Sequence, residues 1–531
     1  MIATRLPADA VQSIDILGAL SVAADLALGL RAGHGVRATY IGMHLADEIG
    51  LPPTQRVDLF YSELLMDAGC TAWASQTAAA ILGDDTAARR DLFFLRDPSN
   101  PRDMIGWLAG YMATGERLDR RLRRSIDFAV HGREFMVEGL RNTAEMASRL
   151  AGRLDRSPGV QEALRYVFEQ WNGSGPYERR SSSIPIVSRL VYATVFLEVM
   201  HQFGGREAAT SLARGRRGKT LDPDIVDAFL RVSSRFSFWA GLEDESVWLR
   251  VREMEPESPY RYLRADRLDD VATAFADFAD LKSMYSAGHS RRVAALAART
   301  ATQMALPPNH VTTIRRAALL HDLGLVAVPA FVLHKPSDRL APAELDTLRL
   351  HPHHTERILA RMPVFSPLCS IVAAHHERMD GNGYPRGLRG EQVPIGARVL
   401  AVADVFDELT HVRPEGPALP PQSALAALVA ESGTRFDAAV LDALAQILDL
   451  PVAAAPQLNQ AAKHEWPAGL TDREVEVLRV LSTGATRRDV AQRLNVSEHT
   501  VRHHLEHIYT KIDVRTRVEA TLFALEHELV P

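Results

Sequence analysis

Seven histidine and aspartate residues between positions 289 and 404 have types and spacing suited to metal chemistry: His289, the adjacent pair His321-Asp322, His351, the adjacent pair His375-His376, and Asp404. Neighbouring residues on a helix point about 100° apart, so a vicinal pair chelates one ion poorly but can straddle two. Two such pairs point to a dinuclear centre. Mixed imidazole and carboxylate donors favour iron, manganese or zinc over calcium or magnesium, and the lack of thiolates argues against a structural zinc site. Cys70 and Cys369 are the only cysteines; they have no metal-ligand spacing, cannot build a disulfide framework, and fit a reducing cytoplasm.

This stretch resembles the HD-GYP family of metal-dependent phosphohydrolases. The residues that carry the resemblance are His-Asp-Leu-Gly at 321–324, His-His-Glu at 375–377, Asp-Gly-Asn-Gly-Tyr-Pro at 380–385 and Ala-Asp-Val-Phe-Asp at 403–407. The resemblance implies an all-helical fold around two divalent transition metals, iron or manganese foremost, and hydrolysis of cyclic di-GMP. It makes the seven residues above the ligands, with Asp322 bridging the metals and Asp322, Arg292 and Tyr384 taking part in catalysis. Two cations activate water at neutral pH and neutralise charge on a phosphate attacked in line, so no protein nucleophile is needed. The glycines at 381 and 383 allow a tight turn that leaves Tyr384 near the phosphates or the base. Three positions depart from the family pattern: Leu325 replaces a lysine expected to contact phosphate, Tyr285 replaces the glutamate that serves a third metal in some members, and Arg413-Pro414 is followed by Glu415-Gly416. They leave two alternatives open, a nucleotide sensor that does not hydrolyse and a hydrolase of another phosphorylated nucleotide.

The elements that must hold these residues read as helices. Apolar residues recur at three and four, as in Val293, Leu296 and Ala297 or Ile314, Ala317 and Ala318, with proline and glycine between the runs. The pattern also occurs twice. Ala32-Gly33-His34, Arg37, Leu51-Pro52-Pro53, Leu64-Leu65, Asp67 and Gly69 return as Ala287-Gly288-His289, Arg292, Leu306-Pro307-Pro308, Leu319-Leu320, Asp322 and Gly324, at a constant offset of 255. Further on, Glu169 and Asn172 to Gly175 match Glu377 and Asp380 to Gly383, and Ile184-Pro185-Ile186 with Arg189 matches Val393-Pro394-Ile395 with Arg398, at an offset of 208 or 209. The first copy therefore carries extra residues, placed around Asp84 to Met112. Mapped back, His34 and Asp67 persist, while Met66, Phe128, Val167, Phe168 and Val195 take the positions of His321, His351, His375, His376 and Asp404. Apolar replacements remove the desolvation penalty of unpaired ligands, so this copy is expected to keep the fold without metal or catalysis.

From Leu470 the pattern changes. Thr471-Asp472-Arg473-Glu474 forms a capping box before Val475, Leu478 and Leu481, and Ser497 caps a later helix with Val501, Leu505 and Ile508 at helical spacing. This helix-turn-helix pattern resembles the LuxR-type DNA-binding domain in Leu470 to Leu478, Val490-Ala491, Thr500-Val501, His504-Leu505, Ile508-Tyr509, Lys511 and Arg517. The resemblance implies dimerisation and places Ser497, His499, Thr500, Arg502 and His503 at bases or phosphates, with Arg487, Arg488 and Lys511 on the DNA backbone. Between Thr486 and Arg517, seven basic residues face four acidic ones, although the whole chain carries a net charge of −5.

With 531 residues, 46% hydrophobic and 24% charged, the chain excludes disordered and fibrous classes and accommodates three or four domains. Asp15 and Asp25 interrupt the best apolar run, which excludes a membrane helix or normal signal peptide. The expected architecture is all-α: tandem HD-type helical domains, the first degenerate (1–250), the second the metal-dependent phosphohydrolase (255–450), then a linker (451–467) and a LuxR-type helix-turn-helix domain (468–531). Expected partners are DNA, a cyclic dinucleotide or related nucleotide, and a second copy of the chain, with no membrane.

Overall fold

A computed structural model describes residues 11–96, 101–450, 466–482, 490, 491, 494, 498–512, 514, 520, 523, 524, 527 and 529. The chain forms two compact units, Met1–Val452 and Ala453–Pro531. Among the described residues no helix is long and apolar enough to cross a membrane.

The first unit holds both copies. The first comprises α1 (Ser13–Ala27), α2 (His34–Glu48), α3 (Pro53–Leu65), α4 (Ala74–Ile81), α5 (Asp85–Arg90), α6 (Pro101–Tyr111), α7 (Leu118–Arg153), α8 (Pro158–Arg165), α9 (Ile186–Arg216), α10 (Pro223–Val232), α11 (Phe236–Leu242) and α12 (Val247–Glu253). The second comprises α13 (Leu268–Asp280), α14 (His289–Gln303), α15 (Pro308–Leu320), α16 (Ala330–Leu333), α17 (Pro342–Arg349), α18 (His351–Leu359), α19 (Cys369–Val372), α20 (Ile395–Thr410), α21 (Pro421–Ala430) and α22 (Ala438–Leu448). The sheet content described is one antiparallel pair, β1 (Val11–Gln12) on β2 (Tyr262–Leu263), with Val11 opposite Leu263.

The repeated motifs explain the matching starts. Gly33 and Gly288 sit in the left-handed region at φ 88° and 71°, open to glycine at little cost, so the next residue, His34 or His289, begins its helix facing inward. Pro53 and Pro308 open α3 and α15 at the first helical position, where a missing N–H costs nothing. After Asp67 and Asp322 the chain presses on a neighbouring helix: a Cβ on Gly69 would lie 1.9 Å from the Thr143 carbonyl oxygen, and one on Gly324 2.0 Å from that of His351.

That contact corrects one sequence assignment. Thr143, not Phe128, occupies the place of His351, and Ala147 that of Thr355, since the same two glycines abut both pairs. Phe128 lies about four turns earlier on α7, packed 5.2 Å from the Trp107 ring. The offset of 255 at Gly69 has become 208 by Thr143, so all 47 extra residues lie between those positions. They fall within the stretch from α4 to the first half of α7.

One hydrophobic core runs through both copies, from Ile14 to Ala445. Polar contacts join them as well: Tyr61 donates to Glu255 at 3.1 Å, Arg156 to the Tyr260 carbonyl at 2.8 Å, and Ser75 to the Lys282 carbonyl at 3.1 Å. The buried Lys282 ammonium lies 3.7 Å from Asp85, so the first copy meets the loop that leads into His289.

In the second unit, α23 (Asp472–Ser482) and α24 (Glu498–Lys511) pack through Val475, Leu478, Val501, Leu505 and Ile508. The capping box is formed: the Thr471 N–H donates to Glu474 at 2.8 Å, and the Glu474 N–H to the Thr471 hydroxyl at 3.3 Å.

Candidate metal centre

All seven residues expected to bind metal converge on one buried site. Two helix starts, two helix ends and the middle of one helix bring them there. His289 opens α14, His351 opens α18, His321-Asp322 and His375-His376 follow the ends of α15 and α19, and Asp404 projects from the middle of α20. Ligand atoms of His289, His321 and Asp322, of His351, His375 and His376, and of His321, His375 and Asp404 each lie within 4.8 Å of one another.

Asp322 spans these groups. Its Oδ2 lies 3.7 Å from His289 Nε2 and 3.4 Å from His321 Nε2, while its Oδ1 lies 3.4 Å from His351 Nε2 and 3.9 Å from His375 Nε2. Asp404 Oδ1 completes the first group, 3.1 Å from His289 Nε2 and 3.4 Å from His321 Nε2. This placement suits a carboxylate shared by two cations.

The ring orientations are fixed from behind. His321 Nδ1 donates to the Ala318 carbonyl at 2.8 Å, His351 Nδ1 to Leu348 at 2.8 Å, and His375 Nδ1 to Val372 at 2.7 Å. Each bond places the proton on Nδ1 and turns a bare Nε2 lone pair inward, as a metal ligand requires. His321 Nε2 is buried and lacks a hydrogen-bond partner among the described residues. Burial holds His351 and His376 below the usual histidine range and His375 down at about 3, so these rings are neutral donors. Burial also opposes charge on His321, but Asp322 and Asp404 carry it up to about 9. The carboxylates thus demand a cation there, which a proton or a metal can supply, and the donor set fits divalent transition ions.

Two expected catalytic residues have different surroundings. The Tyr384 ring stacks on His376 at 4.8 Å, and the Arg349 guanidinium lies 5.5 Å from its centroid. Glu377, buried beneath the turn, accepts the Arg386 N–H at 2.7 Å and the Leu388 N–H at 2.9 Å and so fixes the loop that carries Tyr384. Arg292 does not reach into the site. Its Nε and Nη2 grip Asp407 at 2.8 and 3.0 Å, and its Nη1 bonds the Ala287 carbonyl at 2.8 Å. Asp407 in turn accepts His289 Nδ1–H at 2.8 Å, which makes Arg292 a positioning residue. Sequence reading missed Asp407 and Arg349. The repeat carried a signal for the first, because Glu198 holds the same place between His34 and Arg37; nothing in the sequence marks Arg349.

In the first copy Met66, Val167 and Val195 are buried apolar residues at the places of His321, His375 and Asp404, Phe168 is partly buried at that of His376, and Thr143 stands at that of His351. His34 and Asp67 face each other at 3.5 Å, and among the described residues no group of three ligand atoms forms there.

Of the expected DNA-contacting residues, Arg502 lies exposed on α24. Lys511 is committed internally, to Glu474 at 2.7 Å and the Gly469 carbonyl at 3.0 Å, because the buried Glu474 carboxylate needs a counter-charge. Arg487, Arg488 and Ser497, and the side chains of His499, Thr500 and His503, lie outside the described residues.

Comparison with known proteins agrees with this geometry. The HD domain model matches residues 273–440, and that of bacterial regulatory proteins of the luxR family matches 468–524. Over 437 residues the chain is 30% identical to the 3'3'-cGAMP-specific phosphodiesterase 3 of Vibrio cholerae serotype O1, covering 82% of this chain and 94% of that protein. A match of that length takes in both copies. Over 197 residues it is 41% identical to the cyclic di-GMP phosphodiesterase response regulator of Xanthomonas campestris pv. campestris, covering 36% of this chain and 48% of the relative. The crystal structure of a cyclic GMP-AMP specific phosphodiesterase from V. cholerae superposes with a TM-score of 0.57 at 27% identity, covering 83% of this chain and 99% of that one.

Proposed function

Because the chain belongs to the HD-GYP phosphodiesterase family and carries a LuxR-type helix-turn-helix domain, we propose that it is a cytoplasmic signalling regulator whose second copy hydrolyses a 3',3'-cyclic dinucleotide and whose C-terminal unit binds DNA. The observation that carries the enzymatic part is the convergence of seven ligands with inward Nε2 atoms on both oxygens of Asp322. His289, His321 and Asp404 would hold one ion, and His351, His375 and His376 the other, with Asp322 shared; iron and manganese suit these donors. When bound, the two ions supply charge against the phosphate and make the attacking water acidic near neutral pH. The chain's own residues do the rest. Asp407 and the carbonyls of Ala318, Leu348 and Val372 hold the imidazoles, while Tyr384 and Arg349 offer a ring and a cation at the rim to orient a base and its phosphate.

The relative matched over nearly its whole length is specific for 3'3'-cGAMP, which makes that nucleotide the first substrate to test and cyclic di-GMP the second. Leu325, apolar where the family has a phosphate-binding lysine, favours a second reading in which the domain senses the nucleotide without cleaving it. The first copy serves as a metal-free partner to the catalytic one. Helix-turn-helix readers address paired half-sites as dimers, so the working form is a homodimer whose DNA affinity depends on the nucleotide state.

Metal content and turnover of both nucleotides by the purified chain, beside His321→Ala and Asp322→Ala, test the enzyme. Protein without transition metal and without product overturns the enzyme reading. Nucleotide binding without product, with a nucleotide-dependent shift of a DNA fragment, establishes the sensor instead.

A further inference from the structure

The first half of α7 exposes an apolar stripe. Leu118, Leu122, Ile126 and Val130 recur every fourth residue and are 80, 63, 56 and 68% exposed, with the exposed Ala129 beside them. The opposite side of this helix is occupied: Phe128 and Met136 pack with Trp107, Ile81, Ala88, Leu92 and Met112 in a small core of their own. The segment belongs to the 47 residues that the metal-free copy has and the catalytic copy lacks, so the HD fold does not require it. Four large side chains in water along three turns are costly unless something covers them.

The charges along the stripe specify the cover. From Arg117 to Arg124 there are five arginines and one aspartate, whereas from Asp127 to Glu138 there are three carboxylates and one arginine. Arg123 and Glu134 are exposed, and among the described residues neither has a hydrogen bond or ion pair. Eleven residues make about three turns, so the two lie on the same flank of the stripe at its opposite ends. A second α7 laid antiparallel across the first brings Arg123 of each copy to Glu134 of the other, with Leu122, Ile126 and Val130 between. Such a face is self-complementary about a two-fold axis, as a closed dimer requires. An anionic lipid surface would attract the arginine end but repel Asp127, Glu134 and Glu138.

We propose that this stripe is the dimer interface of the metal-free copy, and that its partner is the same stripe of a second chain. The inference rests on the homodimer reading above and names the surface. In an antiparallel pair the residue nearest the axis meets itself, and Ala129 stands midway between Arg123 and Glu134. In a Cys369→Ser background of the full chain, Ala129→Cys should form a disulfide-linked dimer under mild oxidation, while Arg149→Cys, exposed farther along α7, should not. Adding Arg123→Glu should reduce the cross-link several-fold, and adding Glu134→Arg to that variant should restore it. Sedimentation separates the failures. A dimer that cross-links no better at 129 than at 149 overturns this face and leaves the homodimer reading standing, whereas a monomer overturns both. Binding to phosphatidylglycerol vesicles that Leu122→Glu abolishes and Glu134→Arg strengthens, without the 129 cross-link, assigns the stripe to a membrane surface and overturns the proposal.

Discussion

Asp407 accepts the Nδ1–H of His289 at 2.8 Å while both of its oxygens are held by Arg292. The first copy repeats the arrangement with Glu198 between His34 and Arg37. There the imidazole, the carboxylate and the guanidinium tie α2 to α9, as their counterparts tie α14 to α20. Where a metal is bound, the same carboxylate also sets the tautomer of His289 and raises its basicity.

Asp407→Asn should therefore weaken metal binding by about 10- to 100-fold without abolishing it. Arg292→Gln should cost less, since the histidine keeps its partner. Metal titration followed by elemental analysis distinguishes them. An unchanged affinity in Asp407→Asn would mean that His289 needs no orienting group.

Asp322 and Asp404 make different predictions although both are acidic ligands. Asp322 presents one oxygen to His289 and His321 and the other to His351 and His375, whereas Asp404 pairs most closely with His289 and His321, at 3.1 and 3.4 Å, with His375 within 4.8 Å. Asp322→Asn should empty both sites together. Asp404→Asn should spare the ion near His351, His375 and His376 and give a stoichiometry close to one. Both should lose nearly all turnover, so metal content rather than rate is the readout that separates them.

The two copies also show what a sequence can and cannot place. That these side chains converge was legible in the spacing of the vicinal His-Asp and His-His pairs. The helix starts were legible in Ala-Gly-His and Leu-Pro-Pro, which encode backbone geometry directly. Register across an insertion was not. Between Gly69 and Thr143 no anchor residue repeats, so the sequence alone points to Phe128 for a position that belongs to Thr143, and the contact between Gly69 and the Thr143 carbonyl identifies the equivalence. Direction of charge was equally hidden. Arg292 and Lys511 are basic residues in functional motifs, yet each is committed to a carboxylate of its own fold, Asp407 and Glu474. Composition gives no sign of such a partner more than 30 residues away in the chain.

The polar remnant of the first copy makes stability depend on pH. Burial works against charge on His34, but Glu198, Asp67 and Asp25 together lift it to about 9. A raised histidine contributes stability that is full below its unfolded value of 6.5 and is lost as pH rises through about 9. Burial likewise pushes Asp25 up to about 7, so the folded chain holds that proton more tightly and loses stability as pH climbs from 3.8 to about 7. Thermal unfolding at saturating metal should show the midpoint falling across both ranges. His34→Gln should flatten the upper range, removing about 3 kcal/mol of pH-dependent stability at most, and Asp25→Asn should flatten the lower one. A midpoint in His34→Gln that still falls as steeply between pH 7 and 9 would show that the imidazole is neutral in the folded chain.

Arg502 and Lys511 lie on the same helix and predict opposite kinds of defect in DNA binding. Arg502 is exposed on α24, with Glu506 4.0 Å away. Arg502→Ala should weaken DNA binding and reduce the slope of log affinity against log salt by about 1 if the contact is to phosphate. Lys511 neutralises the buried Glu474 that caps α23, so Lys511→Gln should leave the salt slope unchanged and lower the stability of the C-terminal unit by about 1 to 2 kcal/mol. Binding isotherms across a salt series, paired with unfolding of each variant, read both quantities on the same protein. A fall in slope for Lys511→Gln with unaltered stability would return that lysine to the DNA surface, because a side chain held by Glu474 releases no counterions when DNA arrives.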